Sequence, residues 1–261
     1  MQAAIHQIVT FATDVFAGNP AFVVTVPQPV PGTVLQKVAA QLGEAVLSCL
    51  RRLGNDRFEL TFHAPSGPHG GAGHAAAAAS HVLLGETGAA RGTIVLADGA
   101  ERNIYRDGAR TAVPWPVMPF APTGIAGTLA EALGIPLEGA FISDFGYVAV
   151  CSRPEPIGTI RPDLDAIARL DRGTVIVTAP GDVSDIVIRV FAPKLGLPED
   201  PVCGTAHRII VPYWARRLGR TEIHSRQLSP RGGDLWCRLD GDSVVISGES
   251  KTFLAGTIEL P

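Results

Sequence analysis

Charge is scarce in this chain. Of its 261 residues 18% are Asp, Glu, Lys or Arg, 22 basic against 25 acidic, for a formal net charge of −3. A balance this near neutral, with no run of lysines or arginines, leaves no electrostatic footprint for nucleic acid. Arg208, Arg216, Arg217 and Arg220 do cluster, but on a helix their spacing reads as one solvated face or an interface. No stretch approaches the roughly 20 uninterrupted apolar residues that span a bilayer, so no membrane partner is expected. The opening residues lack the charged, apolar, then small order of a secretory signal. Cysteine is also sparse: Cys49, Cys151, Cys203 and Cys237 are too scattered for a disulfide framework and fit reduced thiols. The expectation is a soluble, cytoplasmic protein.

Signatures of cofactors and metals are missing as well. The glycine-rich segment Gly67-Pro68-His69-Gly70-Gly71-Ala72-Gly73 is not followed by Gly-Lys-Ser/Thr, so it is no phosphate loop. It does not match the dinucleotide fingerprint, and no acidic residue is placed to bind a ribose. His63, His69 and His74 lie across a loop rather than on one helix face, without a thiol or acid beside them. Neither a metal nor an organic cofactor is expected.

What the chain does have is apolar mass, 46% of its residues, enough for one large core or two of about 130 residues. Strand character marks residues 4–11, 21–26, 58–62, 93–96, 110–113, 147–151, 174–177, 185–191, 235–239, 244–247 and 256–260. Helical spacing marks residues 34–53, broken near Gly43, then 73–84, 127–133, 164–169 and the run after Gly204. The proline-rich stretch 114–122 is the best linker. Many strands with few, irregularly placed helices favour an α+β fold over a doubly wound parallel sheet.

One pattern occurs twice. Phe62-His63-Ala64-Pro65, a loop and Gly73-His74-Ala75 open an apolar run that ends at Leu84-Gly85. Val190-Phe191-Ala192-Pro193, a longer loop and Gly204-Thr205-Ala206 open another that ends at Leu218-Gly219. Each reads as a strand, a loop and a helix start, the two lying about 130 residues apart. A buried helix start presents unpaired N–H groups and about half a positive charge, which suits a carboxylate. Glu44, Asp200 and Cys203 are the candidate chemists. Glu44 reads either as a partly buried acid with a raised pKa or as a surface glutamate. His74 at the first helix start reads as a neutral hydrogen-bond donor or as a structural histidine. Asp200 can equally be a helix cap, and Cys203 either an activated thiol or a small buried residue.

Four segments together resemble the phenazine-biosynthesis PhzF-like family, which shares the diaminopimelate-epimerase fold. They are Phe16-Ala17-Gly18-Asn19-Pro20; Leu42-Gly43-Glu44; Gly73-His74-Ala75; and Glu199-Asp200-Pro201-Val202-Cys203-Gly204-Thr205-Ala206-His207, the last followed by Pro212-Tyr213-Trp214, Ser225-Arg226-Gln227 and Arg231-Gly232-Gly233. The resemblance implies two pseudo-symmetric domains, each a curved, mostly antiparallel sheet or barrel around a central helix, with the active site in the cleft between them. Residues 1–117 would form the first domain, with 254–261 as the candidate strand to complete it, and 118–253 the second. It also implies a cofactor-independent isomerase, a homodimer, acting on a small carboxylate-bearing substrate of specialised metabolism. Glu44 would shuttle the proton, with His74, Asp200 and Thr205 as its catalytic partners. Asn19, Gly73, Ala75, Cys203, Gly204 and Ala206 would contact substrate. Where the family shows cysteine before its first Gly-His, this chain has Ala72, so the two-thiol arrangement of the epimerases is broken. Rival expectations are a one-cysteine racemase using Cys203 and a non-catalytic binding protein.

Overall fold

Sixteen strands and five α-helices build two units in this computed structural model, which describes residues 1–261. The first unit comprises Met1–Pro114 with Ser247–Pro261, and the second Trp115–Ile246. The chain opens with β1 (Gln2–Thr10), β2 (Asn19–Val26), α1 (Gly32–Leu42), β3 (Leu47–Arg52), β4 (Arg57–Ala64), β5 (Gly67–His69), α2 (Gly73–Thr87), β6 (Arg91–Leu96), β7 (Glu101–Asp107) and β8 (Arg110–Pro116). It continues with β9 (Phe120–Pro122), α3 (Ala126–Leu133), β10 (Gly139–Ser143), β11 (Tyr147–Val150), α4 (Leu164–Arg169), β12 (Val175–Pro180), β13 (Ile186–Phe191), α5 (Gly204–Leu218), β14 (Glu222–Gln227), β15 (Gly233–Asp240) and β16 (Ser243–Glu259). No helix is long and apolar enough to cross a membrane.

The pairing order repeats. In the first unit β1–β2 is antiparallel, β2–β3 parallel, β3–β4 antiparallel, β4–β6 parallel and β6–β7 antiparallel. In the second, β10–β11, β11–β12, β12–β13, β13–β14 and β14–β15 run through the same alternation. The doubled strand–loop–helix of the sequence thus appears as β4 leading to α2 and β13 leading to α5. Each helix is the crossover between two parallel strands. In the first unit β16 pairs with β1 along Ser250–Glu259 and also neighbours β8, which closes the strands into a ring. The fold class is α+β, as the residues suggest.

α2 carries small residues because strands approach it closely. Ala75–Ser80 and Val82–Leu84 are buried, and the helix packs on β1, β2, β3, β4, β6 and β7. A Cβ on Gly92 of β6 would lie 2.8 Å from Leu83 Cδ2 and 3.2 Å from Asp56 O, so a side chain there would force the fully buried Leu83 to shift. On the opposite face of the same strands, Leu35 and Ala39 of α1 cover Val24, Val26, Leu47 and Cys49. The second unit packs Leu129 and Leu133 of α3 and Ile167 of α4 on Tyr147, Ala149, Val175 and Val177. In α5 the indole of Trp214, fully buried, donates to Thr178 Oγ1 at 3.0 Å.

Two sequence expectations are corrected. The helix over 34–53 is α1 followed by a strand, β3. Leu47, Ser48, Cys49 and Leu50 are all buried because α1 lies on one side of β3 and α2 on the other. A strand covered on both faces loses its period-2 signature and reads like a buried helix. The separate strands expected at 244–247 and 256–260 are one continuous strand, β16, with an irregularity opposite Gln7/Ile8. Its polar middle, Ser247 to Thr252, hides it in the sequence.

Candidate functional site

Glu44 stands on the turn between α1 and β3. Gly43 takes φ 69° after the last turn, its N–H donating to Ala40 O at 3.2 Å, while Glu44 N–H reaches back to Ala39 O at 2.9 Å. This double closure is a Schellman motif, and it fixes the direction in which the glutamate leaves the helix. The side chain is half-buried, and burial alone raises its carboxyl pKa above the ordinary 4.5. Four residues on, the buried Ser48 hydroxyl donates to Ala75 O at 3.0 Å and ties β3 to the first turn of α2. Gly73 and His74 open that turn and are half-exposed, whereas Ala75 is closed to solvent.

Asn19 is 4% exposed at the start of β2, its carbonyl accepting from Thr10 Oγ1 at 3.1 Å. Gly18 before it has φ 62°, and a Cβ there would collide with the Thr10 carbonyl and Ala12. The Gly-Asn pair therefore frames the end of the β1–β2 hairpin. His63 pairs with Thr61 Oγ1 at 2.9 Å, and His69 Nδ1 accepts from Gly71 N–H at 3.1 Å.

The second unit presents Asp200 and Thr205, both half-exposed, beside a helix start whose Val202, Cys203, Gly204 and Ala206 are closed to solvent. Four residues of the loop before that helix are anchored by hydrogen bonds. The Arg189 guanidinium, 8% exposed, grips Glu199 through two bonds of 2.8 Å and donates to the carbonyls of Ile157 and Ile160 at 3.2 and 2.9 Å. Asp200 N–H donates to Val190 O at 2.9 Å. Pro201 O accepts from Ser229 Oγ, and Cys203 N–H donates to Gln227 Oε1 at 2.8 Å. Gln227 Nε2 donates to Asp200 O.

His207 secures the helix start from within. Its Nδ1 lies 2.8 Å from Cys203 O, which can only accept, so this nitrogen carries the proton. Its Nε2 is then an acceptor for the Ser225 hydroxyl at 2.8 Å. Burial pushes the His207 pKa down to about 4, consistent with a neutral ring. A Ser–His pair of this length resembles a nucleophilic dyad. Here both residues are fully buried, so the pair braces the fold. The Cys203 thiol is pushed well above its ordinary pKa, first by burial and then by the negative charge of Asp200, and the amides of Ala206 and Thr205 offset this only in part. It stays protonated at neutral pH.

Glu44, His74, Asp200 and Thr205, the residues the motifs point to, are all partly accessible. Arg189, His207, Ser225, Gln227 and Ser229 hold the loop and helix start in place without standing out as candidates in the sequence. The signal was present in Ser225-Arg226-Gln227: polar residues two apart in a strand share one face, and here that face is fully buried.

The profile of the phenazine biosynthesis-like protein family, PhzC-PhzF, matches residues 130–256. An uncharacterised isomerase of Pseudomonas aeruginosa is 35% identical over 263 residues, covering the whole of both chains. The chain belongs to the PhzC-PhzF family. Among solved structures, a PhzF family phenazine biosynthesis protein of Enterococcus faecalis superposes with a TM-score of 0.93 at 31% identity, covering all of both chains. A hydroxyproline epimerase of Agrobacterium vitis, 12% identical with a TM-score of 0.59 over 98% of this chain and 92% of that one, shares the fold alone. The PhzC-PhzF assignment and the epimerase-like fold agree with the repeated strand order described above.

Proposed function

We propose that this PhzC-PhzF member is a cofactor-independent isomerase that shifts a double bond in a small unsaturated carboxylate, with Glu44 as proton carrier. The observation that carries this reading is the half-buried Glu44 carboxyl, whose pKa burial raises with no opposing charge or hydrogen bond. A carboxylate shifted this way is a stronger base when ionised and a competent acid once protonated, as a shuttle must be. On a β,γ-unsaturated acid, Glu44 removes the proton from the carbon next to the carboxylate. The electron pair moves to form the α,β double bond, and the protonated Glu44 returns its proton to the γ carbon. His74, Asp200 and Thr205 hold the polar groups of the substrate, and the amides at the start of α2 favour its negative charge.

The relatives named isomerase support the reaction class. A role in specialised-metabolite biosynthesis and a homodimeric state belong to the same proposal, and the four free, buried thiols support a reducing compartment. The rival reading, epimerisation with Cys203 as base, needs a thiolate, and both burial and Asp200 oppose one.

The test follows but-3-enoate and its 2-hydroxy and 2-amino derivatives in deuterated water by proton NMR. The wild type should place label on the terminal carbon or retain the transferred proton there. Glu44→Gln should lose about 10²- to 10⁴-fold in rate, while Cys203→Ser stays within severalfold of wild type. Full activity in Glu44→Gln would refute the assignment.

A further inference from the structure

The loop that carries Asp200 is held at several points, but one side chain holds two of them at once. Gln227, the last residue of β14, is fully buried. Its Oε1 accepts from Cys203 N–H at 2.8 Å and its Nε2 donates to Asp200 O at 2.5 Å. A carboxamide has one acceptor oxygen and one donor nitrogen, and only one of its two flipped orientations satisfies an N–H and a C=O together. The orientation is therefore set by the loop, and the loop by it. On its other side Asp200 N–H is taken by Val190 O, so both backbone polar groups of Asp200 are committed. Cys203 is the residue before Gly204, and its carbonyl is in turn held by His207.

We infer that Gln227 is a positioning residue for the second half of the site: it fixes the span between Asp200 and the start of α5, and so the aim of the Asp200 carboxylate and the Thr205 hydroxyl. This rests on the proposed roles of Asp200 and Thr205. Gln227 touches no substrate and moves no proton. The first repeat sets its equivalent loop differently: the chain turns at Pro65-Ser66 into β5, which pairs back on β4, and His69 accepts from Gly71 N–H.

Two variants of the full-length protein separate the bonds. Gln227→Leu keeps the volume and removes both partners, stranding a buried N–H and a buried C=O. Gln227→Glu, when ionised, still accepts from Cys203 N–H but cannot donate to Asp200 O; once protonated, it can do both. Backbone amide exchange at Cys203, followed by NMR on nitrogen-15-labelled protein, should quicken about 5- to 150-fold in Gln227→Leu, while amides of β11 and β12 hold their protection. In the but-3-enoate assay, Gln227→Glu should fall at least tenfold below wild type at high pH. Its ratio to wild type should then climb back as the pH falls and the new carboxyl protonates. A merely space-filling residue would show no such recovery. Unchanged Cys203 exchange in Gln227→Leu, or a Gln227→Glu ratio flat with pH, would overturn the inference. Should Gln227→Leu fail to fold, Gln227→Glu carries the test alone. If the wild type isomerises none of the three acids, the functional proposal fails by itself, and Cys203 exchange still decides whether Gln227 holds the loop.

Discussion

A carboxyl half-withdrawn from water gains basicity and costs stability, and at Glu44 both follow from one shift. Its pKa in the fold is raised above the ordinary 4.5, so the folded chain binds more protons than the unfolded one just above that pH. Stability is therefore full below about 4.5 and is lost as the pH rises through the folded value. Glu44→Gln, which never ionises, should be more stable than wild type at neutral pH and lose that advantage in acid. Chemical denaturation of both proteins at pH 4 and pH 7.5 reads this directly. A variant less stable than wild type at pH 7.5 would show that the carboxylate is gripped by a partner and that its pKa is not raised. Glu44 was visible in the sequence as the residue after a glycine. Its setting was not, because a Schellman turn into a doubly covered strand has the same apolar spacing as a helix running on.

At the scale of elements, α5 begins where burial makes charge most expensive. His207 lies in its first turn, fully buried, donating to Cys203 O and accepting from Ser225. With the pKa down from 6.5 to about 4, the unfolded chain binds the extra proton first as the pH falls. The contribution of the neutral ring is whole above 6.5 and is lost progressively down to about 4, amounting to roughly 3 kcal/mol in all. His207→Gln can still bond both neighbours but cannot ionise near pH 5. It should flatten the loss of stability between pH 6.5 and 4 seen in the wild type by thermal denaturation. An equally steep acid limb in the variant would place the titrating group elsewhere. This brace was hardly legible beforehand. His207 stood in the quoted motif without a role, since a polar residue on an apolar helix gains meaning only when the strand opposite, Ser225 and Gln227, is known. The helices at Gly73 and Gly204 were read correctly because each opens on glycine after a loop and continues as an apolar run. β7 and β14 passed unnoticed because their polar residues mask the alternation.

Across the whole molecule the repeat lies in the order of pairing more than in the residues. Antiparallel and parallel neighbours alternate identically in both units, yet only the Ala-Pro strand ends and the helix-opening glycines betray this in the sequence. Side chains facing a core can be exchanged for others of similar volume, whereas the crossover through a central helix cannot be changed piecemeal. The departure from the repeat is β16, which starts in the second unit at Ser243 and from Ser247 belongs to the first. It supplies β1 with its partner from Gln2↔Glu259 to Thr10↔Ser250, and Leu260 just beyond its end, 5% exposed, joins the core under α1. Removal of Ser247–Pro261 should therefore open the edge of β1 and uncover Ala3 and Ile5, while the pairing among β10 to β15 keeps all its partners. Hydrogen exchange by mass spectrometry on the shortened chain should show protection lost across β1 and β2 and largely retained across β11, β12 and β13. Equal loss in both sets would mean that the second unit has no stability of its own, and that the repeat is one of architecture without being one of folding.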